Sequence, residues 1–152
     1  MARHRSIFSL ILVLLATFLI SCSGPSVTVA PPTYTATQLE RIQEYIPKIQ
    51  AVRDRADELK TLIKKQDWID VNNFIHGPMT EARSSMTYII PNLLPSAQPI
   101  ARQKTRDLLN DLVKLDQAAV ESNTQLALSS YQEAIEDIDQ FFQLLLDTNP
   151  QV

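Results

Sequence analysis

Four stretches of this chain return an apolar residue every third or fourth position, and nothing else in the sequence limits its fold so strongly. The first runs through Leu39, Ile42, Ile46, Ile49, Arg53, Ala56, Leu59 and Ile63; its one polar member, Arg53, has an aliphatic stem long enough to cover the seam. The second runs through Trp68, Val71, Ile75, Met79, Ala82, Met86, Ile89 and Leu93. The third carries Ala97, Ala101, Leu108, Leu112, Leu115 and Ala119, and the fourth Leu128, Tyr131, Ile135, Ile138, Phe142 and Leu145. Steps of three and four place each set on one helix face. Beyond residue 24 the only glycine is Gly77, which argues against a sheet-rich fold with many tight turns. Short connections between long amphipathic helices favour antiparallel neighbours, so the expected fold is all-α, an up-down-up-down four-helix bundle over residues 36–152.

Local signals set the expected ends of these helices. Thr37 and Glu40 have the spacing of a capping box for the first, Asp67 is placed to cap the second, Ser96 leads into the third with Pro99 tolerable in its first turn, and Ser122 with Gln125 offers a box for the fourth. Pro47 predicts either a kink in the first helix or a helix that begins near it. The second pattern continues through Gly77 and Pro78, which predicts a bent helix rather than two. In the longest connection, "IIPNLLPSAQP", Leu93 and Leu94 are expected to plug one end of the bundle.

Upstream of the bundle, Arg3, His4 and Arg5 precede an apolar run from Ile7 to Ile20, too short for a bilayer span of about 20 apolar residues. A basic start, a short apolar middle and small residues at its end describe a secretory signal. Leu19, Ile20, Ser21 and Cys22 resemble the lipobox of bacterial lipoproteins, whose cysteine thiol receives a diacylglyceryl group before cleavage makes it the new N-terminus. Cys22 is the only cysteine, so no internal disulfide competes for it. The alternative is an uncut signal anchor with Cys22 a free thiol. Residues 1–21 are thus expected to be a signal peptide and residues 22–35 a lipidated flexible tether, rich in Ser, Thr, Val and Pro.

Charge and motifs narrow the function by exclusion. From Cys22 onward twelve Lys and Arg face seventeen Asp and Glu, so nucleic acid is an unsuitable partner. A di-iron bundle wants Glu-x-x-His on two helices, whereas His76 is the one histidine beyond the signal and Asn73 stands three residues before it. A haem held by His76 with Met79 or Met86 is conceivable, but seam methionines are commonly core filler. No glycine-rich phosphate loop is present, and His76 is the sole base for a hydrolytic nucleophile. Glu136 with Asp139 and Glu133 with Asp137 lie one helical turn apart, either a weak cation site or a solvated acidic face. Neither an enzyme nor a resident cofactor or metal is expected. Charge is polarised: Leu115 to Val152 holds seven acids and no Lys or Arg, while the first helix carries Arg41, Lys48, Arg53, Arg55, Lys60, Lys64 and Lys65. Part of that opposition is expected to be complement across the edge shared by the first and fourth helices, and the remainder suits docking on another protein.

The stretch "DWIDVNNFIHGPMTEAR", with "LLP" after it, resembles the PsbQ family in its cyanobacterial, lipoprotein form. Trp68, Ile75, His76, Gly77, Pro78 and Arg83 carry the likeness, and "DLLNDLVKLDQAA" followed by Tyr131, Ala134, Asp137 and Asp139 extends it through the mature chain. The resemblance implies an extrinsic subunit on the lumenal side of the thylakoid, held by its lipid, with the photosystem II core and the other extrinsic lumenal subunits as partners. It implies help in retaining calcium and chloride at the oxygen-evolving complex and no ligand to the manganese. It also makes Trp68, His76, Gly77, Pro78 and Arg83 candidate docking residues. A free-standing periplasmic adaptor or chaperone, or a metal or haem carrier, is the alternative from the residues alone.

Overall fold

The computed structural model describes residues 33–148; the expected signal peptide, Cys22 and the tether as far as residue 32 lie outside the described residues. Helix α1 (Ala36–Asp54) and α2 (Ala56–Lys65) form rod A. Rod B is α3 (Trp68–Phe74), a π-helical turn (Ile75–Met79), α4 (Thr80–Ile89) and a 3-10 turn (Ile90–Asn92). Rod C is α5 (Gln98–Val120) and rod D is α6 (Thr124–Thr148). Rod A lies against B and D, and rod C against B and D, which is the expected up-down-up-down bundle.

Of the expected caps, Asp67 holds, two move to neighbouring residues and one is absent. The first capping box is Thr35 with Gln38, not Thr37 with Glu40: the Thr35 hydroxyl accepts from the Gln38 N–H while the Gln38 side chain reaches back to the Thr35 N–H. Asp67 does cap α3, accepting from the Asp70 N–H at 3.4 Å. Rod C begins at Ala97 with no side-chain cap, so Ser96 is not its cap. Asn123 rather than Ser122 caps rod D, accepting from the Leu126 N–H at 3.1 Å, because Ser122 has turned into the left-handed region at φ 54°. Pro47 does not start a helix: α1 passes through it on the exposed face, and rod A is interrupted instead at Arg55, where ψ opens to 7°. Leu93 is buried at the B–C end and Leu94 half-buried, with the Leu94 N–H donating to the Tyr34 hydroxyl at 3.5 Å.

The core follows the expected stripes on rods A, B and C, including fully buried Ile42, Ile49, Leu59, Ile63, Met79, Met86, Ile89, Leu108 and Leu115. On rod D the expected Tyr131, Ile135, Ile138 and Leu145 are buried, but the seam also takes in Ala127, Ala134 and Phe141, and Leu128 and Phe142 of the expected stripe are half-buried flanks. The reason is close approach: Ala101, Ala118 and Ala119 of rod C and Ala127 and Ala134 of rod D are all buried, and small residues let the two longest helices form the most extensive interface in the bundle.

Candidate docking surface

Family-like residues of rod B are arranged around the π turn, and Pro78 explains why the turn forms. Proline brings no N–H to the helix and its ring crowds the carbonyl four residues back, at Phe74. The chain widens instead, and the Thr80 N–H and hydroxyl both reach the Ile75 carbonyl, the hydroxyl at 3.0 Å. Gly77 is not held in a left-handed conformation, and a Cβ placed on it would meet nothing within 4 Å. Its openness belongs to a groove of about 580 Å³ between rods A and B, where Gly77 and Pro78 face Pro47, Lys48 and Arg55. Arg55 is anchored there by a two-pronged pair with Glu58, at 2.8 and 3.0 Å, and lies over the Phe74 ring at 4.9 Å.

His76 faces the other way. It is mostly exposed, and its Nε2 lies 3.2 Å from Asp116 Oδ1 on rod C, an oxygen that also accepts from Asn72 Nδ2 at 2.8 Å. Met79 and Met86 are buried in the core, so the histidine and the methionines do not converge as haem ligands. Trp68 packs half-buried against the start of the core. Arg83 lies one edge further round, on a groove of about 370 Å³ between rods B and C that it shares with Arg102 and Arg106. The candidate residues therefore spread over three sides of rod B and do not form one pocket.

The acidic fourth helix is answered mainly by rod C. Lys114 bridges Asp111 at 2.8 Å and Glu133 at 3.3 Å, and Lys104 reaches Asp137 at 3.6 Å. Across the A–D edge one strong pair crosses, Arg53 with Asp139, at 2.5 and 2.9 Å. That hydrogen-bonded pair holds the Arg53 pKa above its ordinary value. Lys60 and Lys64 stand beside rod D without an ion pair to a described residue. Among the described residues the expected complement between first and fourth helices is thus confined to one arginine. Asp137 is not part of a solvated face: it is 7% exposed, and its Oδ2 has no hydrogen-bond partner among the described residues. Burial pushes its carboxyl up to about 6, with Asp111 and Asp107 adding to the shift and Lys104 opposing it. Among the described residues no group of three or more His, Cys, Asp or Glu is placed to hold a metal ion.

Arg102, Arg106, Asp111 and Asp116 were not singled out from the sequence. The two arginines had a legible signal, since neither has an acid three or four residues away on its helix. The partners of Asp111 and Asp116 lie on other rods and leave no such local mark.

Comparison with known proteins covers almost the whole chain. The family model described as PsbQ, oxygen evolving enhancer protein 3, matches residues 2–146. A protein of Synechocystis sp. named CyanoQ is 40% identical over 146 residues, which cover 95% of this chain and 97% of that protein.

Proposed function

Because the chain belongs to the PsbQ family, we propose that it is a lipid-anchored lumenal subunit that stabilises the oxygen-evolving complex of photosystem II and supports its retention of calcium and chloride. Its class is that of an extrinsic structural subunit associated with photosystem II, not an enzyme. The observation that carries the reading is the family match running through all four rods, including the Trp68–Arg83 stretch built around the π turn. An indirect role in water oxidation is consistent with a chain whose surface offers grooves and charge.

Attachment to the membrane is assigned to Cys22. No helix among the described residues is long and apolar enough to cross a membrane. Two acyl chains would hold the protein firmly, each buried methylene contributing about 0.8 kcal/mol. The test is to purify active photosystem II from photosynthetic membranes and to measure oxygen evolution with and without the subunit in media depleted of calcium or chloride. Co-purification, with a loss of activity that is larger in the depleted media, is expected. Absence from active particles would overturn the assignment, and equal activity in all media would remove the ion-retention role.

A further inference from the structure

Six arginines lie among the described residues, and they divide cleanly. Arg41, Arg53 and Arg55 are each paired with a carboxylate, Glu44, Asp139 and Glu58 respectively. Arg83, Arg102 and Arg106 have no ion pair with any described residue, although acids outnumber bases in this chain. Among the described residues Arg102 and Arg106 bond neutral side chains, Arg102 the Gln98 Oε1 at 2.9 Å and Arg106 the Gln103 Oε1 at 2.7 Å. All three converge on the groove between rods B and C.

The floor and rim of that groove are apolar. Ile90 is buried beneath it, Pro91 stands at its end, and Leu109 is 42% exposed beside Arg106. Unpaired guanidiniums around a partly exposed apolar trough suit a ligand that brings carboxylates and a hydrophobic side chain together. A concave trough between two rods fits a protein segment better than a flat lipid surface.

We propose that the Arg83–Arg102–Arg106 groove is the face on which this subunit receives an acidic segment of a partner protein in its photosystem. The proposal rests on the reading in the preceding subsection and adds a location and a chemistry to it. Arg–carboxylate forks supply orientation there, and Leu109 with Pro91 supplies the apolar contact. Family-like Arg83 then belongs to docking, while His76 is engaged within the bundle by Asp116.

The experiment uses the full lipidated protein and detergent-solubilised photosystem II particles that lack this subunit. Compared are wild type, an Arg83→Gln, Arg102→Gln, Arg106→Gln triple variant, and a Lys60→Gln, Lys64→Gln, Lys65→Gln triple variant that removes the same charge elsewhere. The arginine variant should bind the particles roughly tenfold or more weakly, with its melting temperature unchanged, and the lysine variant should bind nearly as wild type. Equal losses in both variants would show a response to net charge and overturn the site. Arginine-variant binding equal to wild type would do the same. Phosphatidylglycerol vesicles serve as the lipid arm, and sedimentation reports self-association; a loss confined to vesicles, or to self-association, would assign the groove to those occupants and overturn a partner segment. Failure of wild type itself to bind the particles would instead sink the family-based reading on which the proposal stands.

Discussion

Asp137 pays a cost that its neighbours do not remove. One carboxylate oxygen is buried without a partner at the seam of rods C and D, and Lys104 at 3.6 Å is too far for a tight hydrogen bond. Burial raises the folded-state pKa from an ordinary 3.8 to about 6. The folded protein therefore binds this proton more tightly than the unfolded chain does. The stability that protonated Asp137 contributes is present in full below about 4 and is lost as pH rises through about 6. The Asp111 carboxylate on rod C adds to that upward shift. Asp137→Asn should make the protein more stable at pH 7 by roughly 1–3 kcal/mol and flatten the stability profile between pH 4 and 6. Thermal melts across that range check it; an Asn variant with the wild-type pH slope would show that another group is titrating.

Rod B shows how far an element can be read from its residues. The stripe from Val71 to Leu93 and the continuation through Pro78 were legible, because apolar spacing survives a local change of helix type. The π turn itself was not, since the hydrogen bond that closes it, Thr80 to Ile75, depends on packing that holds α3 and α4 in register on either side. Two positions of the expected rod D stripe, Leu128 and Phe142, flank the seam for a similar reason. Ala127 and Ala134 give little hydrophobic signal, yet they mark the seam because rod C comes close, and that closeness is a property of the pair. Two capping residues shifted by one or two places, Thr37 to Thr35 and Ser122 to Asn123, because several Ser, Thr and Asn compete at those helix starts and only the turn geometry chooses among them. For the family-like Gly77 a sharp expectation follows from its open surroundings. With no positive φ and no neighbour within 4 Å of a Cβ, Gly77→Ala should raise the stability of the isolated domain by about 0.5–1 kcal/mol. Denaturant unfolding measures it, and a loss of stability would mean that the π turn needs glycine after all.

On the scale of the whole molecule, the proposed anchor and the proposed groove would act on the same attachment. Exposed arginines are screened over about 8 Å at physiological ionic strength, so docking by them weakens as salt rises. A lipid at Cys22 would keep a released bundle at high local concentration, so that it rebinds. Cys22→Ser should abolish lipidation, detected by mass spectrometry, leave the melting temperature of the bundle unchanged, and lower the salt concentration at which the subunit washes from photosynthetic membranes. Identical wash-off curves for the two forms would show that the anchor contributes nothing to retention. The turn between rods C and D carries a different kind of consequence, one of time. Only Glu121 to Asn123 separate α5 from α6, whereas rod A can meet rod D only after nearly the whole chain has been gathered. Closing a short loop costs little entropy, and near-neighbour contacts form fast. The C-terminal hairpin is therefore expected to be the nucleus on which the rest condenses, its amides becoming protected from exchange in a refolding pulse before those of rod A; protection of rod A first would reverse that order.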